Sequence, residues 1–499
     1  MLLNKNDEVI IDIEDIGSEG EGIGRHQGYT LFVKNALPGD KVKVKVMKCK
    51  KTYGYARLME VVNASPDRFN PKCKIAGKCG GCSLQHLAYE RQLQYKQDKV
   101  KNCLERIGGF KGIDLEPIIG MEEPYFYRNK AQFPVGRNKD GKVVIGFYAG
   151  GTHSIIDTTH CCIQAKENDV IIETIRNFLE EYRISTYNEE NQEGLVRHIL
   201  TRTGFITGEI MVCLIINGDD LPKKEILVKR LAQISGMKSI SLNINKAKTN
   251  VILGDKVINL WGEPYITDYI GEIKYQISPL SFYQVNPAQT RVLYETALSF
   301  AGLAGNETVW DLYCGIGTIS LFLAAKAKQV YGVEIIPQAI EDAKRNAEIN
   351  QIENAEFFVG AAEEILPAKY REENIHADVI VVDPPRKGCE ESLLDTIVQM
   401  APEKVVYVSC DPATLARDLR YLCDRGYEVK KVQAVDQFPH SGHVETVVLL
   451  SQQKPNDRIE VDLDLNELDA TSAEIKATYS EIKDYVLKAH DSFSYNSDC

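Results

Sequence analysis

The chain has 499 residues, 44% hydrophobic and 26% charged, with a formal net charge of −12 at neutral pH. That length predicts about three domains, and the composition is ordinary for a soluble globular protein. No apolar run spans a bilayer and the first thirty residues lack a signal-peptide core, so a cytoplasmic protein is expected. There, thirteen cysteines point to thiols, metal ligands or catalysis and away from a disulfide framework. The acidity is uneven. Residues 451–499 hold eleven Asp/Glu and five Lys/Arg, whereas Lys41, Lys43, Lys45, Lys48, Lys50 and Lys51 put six lysines in eleven positions. The net charge therefore does not exclude RNA as a partner.

Residues 1–62 read as short strands between glycine turns: EVIIDIEDIG, GEGIGRHQGYTLFV and DKVKVKVMKCKKTYGYARLMEVV. This spacing predicts a small β-barrel of the OB type. In Lys41–Val46, lysines alternate with Val42, Val44 and Val46, so one strand face is basic and the other buried. An edge strand that uses lysine against aggregation has the same pattern. The glycine turn with Arg25, followed by Leu37-Pro38-Gly39, resembles the TRAM domain, an RNA-binding barrel appended to RNA-modifying enzymes.

Cys73-x5-Cys79-x2-Cys82 comes next, three thiols within ten residues, with Gly77, Gly80 and Gly81 between them. Glycines let backbone amides approach metal-bound sulfur, and the spacing suits an iron–sulfur or a zinc site equally. A fourth ligand has to come from elsewhere, and His160-Cys161-Cys162-Ile163 is the nearest candidate by position. Residues 84–108 carry Leu84, Leu87, Leu93, Val100 and Leu104 at mostly helical spacing, which predicts an amphipathic helix. A β-rich region is expected from about 115 to 270. Arg128, Lys130, Arg197, His198 and Arg202 fall on its strands, where scattered charges are ordinarily solvated.

From about 271 the pattern alternates strand and helix, as in a doubly wound parallel sheet. Glu307–Leu312 reads as a strand, Tyr313-Cys314-Gly315-Ile316-Gly317-Thr318 as a glycine turn, and Gln329–Glu334 as a second strand ending in an acid. This is a nucleotide-binding βαβ unit, with the acid for ribose hydroxyls. Ser320 replaces the third glycine of the dinucleotide fingerprint, which suits S-adenosylmethionine, a ligand with no pyrophosphate. The strand Asp378–Val382 ends in Asp383-Pro384-Pro385-Arg386-Lys387-Gly388, and Val405–Val408 ends in Ser409-Cys410-Asp411-Pro412. A thiol there lies in the crevice at the carboxyl ends of the strands, where ligands bind. Alone, Cys410 reads as a small buried hydrophobe. Its neighbours in sequence argue otherwise.

The motifs SPLSFYQVN (278–286), DLYCGIGT (311–318), DPPRKG (383–388), SCDP (409–412) and HVET (443–446) together resemble the RNA uracil-5-methyltransferases. With the barrel and the Cys73–Cys82 motif, the chain is most similar to the branch that methylates 23S rRNA and carries a [4Fe–4S] cluster; the tRNA branch typically lacks both. The resemblance implies a multidomain chain. Residues 1–62 would be a TRAM-like RNA-binding barrel, and 63–270 an iron–sulfur and central β-rich RNA-binding region, with helix 84–108 packed on the catalytic domain. Residues 271–450 would be a Rossmann-like α/β methyltransferase domain, and 451–499 an acidic tail of no assigned role. It also implies Cys410 as nucleophile, Glu445 as base, and Gln284, Tyr313, Glu334 and Asp383 as contacts to S-adenosylmethionine. The cluster ligands would be Cys73, Cys79, Cys82 and Cys161. RNA is the expected partner, with no DNA and no membrane, and the chain is expected to be a monomer.

The chemistry follows from the residue types. Uracil C5 is a poor nucleophile toward a methyl sulfonium, and addition of a thiolate to C6 makes C5 nucleophilic. At an ordinary pKa of about 8.5 some cysteine is thiolate near neutrality, and a polar crevice is expected to raise that fraction. A base then removes the C5 proton so that the cysteine is eliminated. Two other classes fit less well. His443-Val444-Glu445 matches the H-x-E of nucleobase deaminases, but no P-C-x-x-C follows it. A non-catalytic RNA scaffold has no need of Cys410, Glu445 and Asp383 together. In the tail, IEVDLDL reads as strand-like and Ser472–Ala489 as a helix.

Overall fold

A computed structural model describes residues 3–453, so the strand and helix expected in the tail lie outside the described residues. Strands β1 (Glu8–Ile16), β2 (Gly22–His26), β3 (Tyr29–Lys34), β4 (Lys41–Cys49) and β5 (Tyr53–Asn63) close into a barrel ordered β1-β2-β3-β5-β4. Val42, Val44 and Val46 are fully buried with Leu31 and Val33, and the alternating lysines face outward.

Helix α1 (Tyr89–Arg106) starts later than its apolar period predicts. Leu84 N–H donates to His440 O and Leu87 N–H to Leu84 O, both at 2.9 Å, so residues 84–88 form a turn tied to another segment. Strand β6 (Leu115–Ile119) follows. The central region holds β7 (Lys130–Arg137), β8 (Val143–Tyr148), β9 (Ile155–Asp157), α2 (Asn168–Glu181), β10 (Val196–Thr203), β11 (Ile210–Ile216), α3 (Lys224–Leu231), β12 (Met237–Ile244) and β13 (Lys256–Gly262). Its seven strands are ordered β13-β12-β11-β10-β7-β8-β9. The two helices, unexpected in a β-rich region, cover one face. Ile171, Ile175, Phe178 and Leu179 of α2 pack there with Val212 and Leu214. On the other face Leu200, Met211 and Cys213 join Tyr275, Tyr283 and Tyr294 of the following domain. Every residue of β10 and β11 is therefore buried. Arg197, His198 and Arg202 are 2–4% exposed, not solvated as their scatter suggests.

A hairpin of β14 (Ile266–Ile270) and β15 (Ile273–Ile277) leads into the α/β domain. Its elements are α4 (Pro287–Ala301), β16 (Thr308–Leu312), α5 (Thr318–Ala324), β17 (Gln329–Glu334), α6 (Pro337–Ile349), β18 (Ala355–Val359), α7 (Ala362–Glu373), β19 (Val379–Val382), α8 (Glu391–Met400), β20 (Lys404–Ser409), α9 (Pro412–Cys423), β21 (Tyr427–Val435) and β22 (Glu445–Gln452). The eight-stranded sheet runs β18-β17-β16-β19-β20-β22-β21-β6. Alternate residues face two cores: Val309, Val381 and Val406 meet α4–α6, whereas Trp310, Ile380 and Val405 meet α7–α9. Val100 and Leu104 of α1 join the second core, as expected for a helix packed on this domain. Residues 115–119 correct the middle-region boundary. As β6 they pair in parallel with β21, at the edge of the α/β sheet. The strand order reverses between β16 and β19, and at such a point the carboxyl ends of the strands open a crevice.

Candidate active site

Strands β20 and β22 are antiparallel, with Ser409 opposite Thr446. Cys410 and Glu445 therefore leave adjacent strands side by side. Asp411 caps α9, its Oδ1 accepting from Ala413 N–H at 2.9 Å and Thr414 N–H at 3.1 Å. Ser409 Oγ donates to Asp411 O at 3.0 Å, which closes the turn around the half-buried Cys410.

The turn after β16 is strained in a way that exposes backbone to the crevice. Tyr313 has φ +84°, and its N–H and that of Cys314 both donate to Val333 O at 3.0 Å. Gly315 and Gly317 follow at φ +53° and +80°, which a side chain rarely adopts. Ser320, the residue in place of a third glycine, donates to Asp311 Oδ2 at 2.5 Å. Asp311 is fully buried, and burial pushes its carboxyl up to about 7 against that hydrogen bond. Glu334 ends β17 and accepts Ile336 N–H at 3.1 Å. The DPPRKG loop is pinned from α9. Asp418 Oδ2 accepts Cys389 N–H at 2.8 Å and Tyr407 O–H at 2.6 Å, and a Cβ on Gly388 would meet that oxygen at 2.5 Å.

One cavity of about 810 Å³ is lined by Cys410, Glu445, Gln284, Tyr313, Glu334 and Asp383, so all six residues singled out by sequence meet there. The wall also carries Asp255, Asp311 and Asp342, and Arg386 is its one Lys or Arg. This acidity corrects the expectation of an enriched thiolate. Burial first, then the charges of Glu445 and Asp383, push the Cys410 thiol up to about 12, and Arg386 opposes them only in part. Burial and then Asp383 push Glu445, 3% exposed, up to about 8. Burial and Asp311 push Asp383 up to about 7.

Sequence reasoning missed how α1 serves this cleft. Lys96 is fully buried and ion-paired with Asp436, and its Nζ also donates to Phe438 O at 2.9 Å. Tyr89 O–H donates to Asp436 Oδ2 at 2.8 Å, and Lys99 Nζ to Gly442 O at 2.9 Å. These bonds hold the loop that delivers Phe438, His443 and Glu445 to the cavity. A lysine between Gln92 and Val100, on the buried stripe of α1, is the signal that marks it.

A second cavity, of about 350 Å³, is lined by Cys73, Cys79, Cys82, Cys161 and Cys162. The fold thus gathers the four expected ligands and the neighbouring thiol left out. Among the described residues no three or more His, Cys, Asp or Glu side chains converge closely enough for a single metal ion. The lining includes no carboxylate, but it does include Arg128 and Lys130. Neither enters an ion pair among the described residues, and burial with the charges of Arg202 and Arg128 pushes Lys130 down to about 7. An unpaired Arg128 beside thiols suits an anionic occupant such as a thiolate-ligated cluster. Gln85 orders the rim, its Oε1 accepting Cys73 N–H at 2.8 Å.

Residues 88–453 match the family model described as tRNA (Uracil-5-)-methyltransferase, and residues 3–59 match the TRAM domain. The chain belongs to the RNA uracil-5-methyltransferase family. A Halalkalibacterium halodurans protein named as an uncharacterized RNA methyltransferase is 54% identical over 449 residues, 90% of this chain and 98% of its own length. A Clostridium acetobutylicum protein of the same description is 52% identical over 453 residues, again 90% and 98%. The crystal structure of Pyrococcus abyssi tRNA (uracil-54, C5)-methyltransferase with S-adenosyl-L-homocysteine superposes with a TM-score of 0.72 and 30% identity, covering 89% of this chain and all of that one. Among the described residues no helix is long and apolar enough to cross a membrane.

Proposed function

We propose that this S-adenosylmethionine-dependent RNA methyltransferase acts, as a monomer, on C5 of a specific uridine in 23S rRNA. Cys410 serves as nucleophile and Glu445 as base. The observation that supports the reading is the β20–β22 register, which sets Cys410 beside Glu445 in the wall of one acidic cavity. Once deprotonated, Cys410 adds through Sγ to uracil C6, and C5 takes the methyl group from the sulfonium. Glu445 removes the C5 proton, and the Cys410–C6 bond breaks to restore the ring. The target base has to leave its stack to reach Cys410, which favours a looped or refolded RNA segment.

Gln284, Tyr313, Glu334 and Asp383 are the residues we assign to the methyl donor. The excess of carboxylates on that wall supports a cationic ligand. A cation beside Asp383 and Glu445 offsets the charges that, after burial, hold the Cys410 thiol up.

Cys73, Cys79, Cys82 and Cys161 we assign to a [4Fe–4S] cluster. Its four irons spread the thiolates around a larger volume than one zinc ion, which agrees with a cavity of about 350 Å³ beside Arg128. Absorbance near about 400 nm and acid-labile sulfide in anaerobically purified protein are the expected signs. Colourless protein holding zinc refutes the cluster.

A tRNA uridine is the second reading, favoured by the 30% identical Pyrococcus abyssi tRNA (uracil-54, C5)-methyltransferase. Mass-spectrometric mapping of 5-methyluridine in both RNAs, with and without the gene, decides between them. Loss of the mark from 23S rRNA alone is expected, and loss from tRNA alone transfers the proposal to the second reading.

A further inference from the structure

The outer wall of the barrel carries a feature that neither cavity uses. Phe32 on β3 and Tyr53 and Tyr55 on β5 touch one another, with ring centroids 5.6 to 5.8 Å apart and edge-to-face or tilted planes. Leu31, Val33, Gly54 and Ala56, their neighbours along the strands, are buried in the barrel, so the two-residue period turns the three rings outward. Tyr55 is 45% exposed.

The strand register surrounds the rings with cations. Phe32 lies opposite Tyr55, and Lys34 opposite Arg57. On the other side of β5, Lys48 is opposite Tyr55 and Lys45 opposite Arg57. Lys34, Lys48 and Arg57 enter no ion pair among the described residues, whereas Lys43, central in the alternating run, is tied to Glu8 at 2.9 Å. Glu21 is the carboxylate whose charge reaches Tyr55. Free cations and exposed rings thus coincide beside the lysine run, on the β3–β5 face.

We propose that Phe32, Tyr53 and Tyr55, flanked by Lys34, Lys48 and Arg57, form a platform on which the barrel stacks successive bases of a single-stranded segment of the RNA substrate. It rests on the reading that RNA is the substrate. Every base has a π-face, so rings fixed on rigid strands bind without regard to sequence, and the flanking cations meet the phosphates. In a chain of net charge −12, such a local excess is what draws RNA to one face. The alternative is that the rings only brace the sheet as cross-strand pairs.

Fluorescence anisotropy with the full-length protein and fluorescein-labelled single-stranded oligoadenylate of about 12 nucleotides separates the two. The double variant Phe32→Val/Tyr55→Val is expected to bind about 10- to 100-fold more weakly, while Tyr55→Phe binds as the parent does. With a folded rRNA transcript, the double variant raises KM and leaves kcat unchanged. Lys48→Gln/Arg57→Gln is expected to reduce the slope of log affinity against log salt by about 1.4, the value for two lost phosphate contacts on a single strand. Unchanged affinity and salt slope in both double variants, with only a lower melting temperature in the first, overturns the platform. So does a parent protein that binds the transcript but not the oligomer. Failure of the parent protein to bind either RNA breaks the prior reading of RNA as substrate.

Discussion

Cys410 and Cys161 are both buried enough that their thiols are held up, to about 12 and about 11, yet the cavities they line carry opposite charge. Cys410 faces a wall with Asp255, Asp311, Glu334, Asp342, Asp383 and Glu445 against Arg386 alone. The lining of the other cavity holds Arg128 and Lys130 and no carboxylate. On the proposed roles, the difference separates two uses of one side chain. A permanent ligand has to stay anionic, and cations around it favour that. A nucleophile is better kept as an unreactive thiol until a cationic donor cancels the field around it. Burial alone is common to both sites, and the sign of the neighbouring charge is what distinguishes them.

Three variants, in order of expected effect, and a pH profile test that contrast. Cys410→Ala is expected to lower methyl transfer from labelled S-adenosylmethionine by more than about 10⁴-fold, leaving the melting temperature and any absorbance of the cysteine cavity unchanged. Unchanged turnover removes Cys410 from the role of nucleophile. Glu445→Gln is expected to lower turnover by about 10²- to 10⁴-fold and to accumulate a covalent protein–RNA adduct, seen as a shifted band on a denaturing gel. Rapid release of free product assigns the base elsewhere.

Cys82→Ser belongs to the other cavity. It is expected to lose the absorbance near about 400 nm and to melt roughly 5–10 °C lower, with activity falling only as folded protein is lost. An intact fold with abolished turnover places this thiol in the chemistry instead.

The test not tied to a variant is pH dependence. In the proposed mechanism Glu445 and Cys410 act deprotonated, and both are held up, to about 8 and about 12, so kcat/KM is expected to climb with pH from about 6 to 9, by up to about a hundredfold per unit below about 8 and about tenfold per unit above it. A maximum below about pH 7 contradicts this. Stability runs the other way. The folded-state pKa of Glu445 lies above its ordinary 4.5, so the stability of its neutral form is complete below that value and is lost as pH rises through about 8. The melting-temperature advantage of Glu445→Gln over the parent is accordingly expected to grow across that interval.

Most of the fold was legible because its signals are local. Val42, Val44 and Val46 alternate with lysines and do line the barrel, and Gln329–Glu334 reads as a strand from composition and is one. Helices α2 and α3 were missed because glycine-punctuated strands dominate the region around them, and the apolar spacing of Ile171, Ile175 and Phe178 was the available clue. In the site, the residues themselves were legible from motifs. Their mutual placement was not, because Gln284, Asp383 and Cys410 come from three separate loops and Glu445 from the start of β22.

What the sequence determined by itself is the identity of the chemical groups and the strand ends that carry them: a thiol after Val405–Val408, an acid just before Val447–Leu450, and three thiols in a glycine loop. Only the tertiary structure decided their electrostatics. Whether a buried thiol meets carboxylates or cations depends on which distant segments share its cavity. The Lys96–Asp436 pair, between residues 340 positions apart, likewise has no local trace. Alternation and turn chemistry act over a few residues, whereas burial and Coulomb fields act through space, and the fold alone sets those distances.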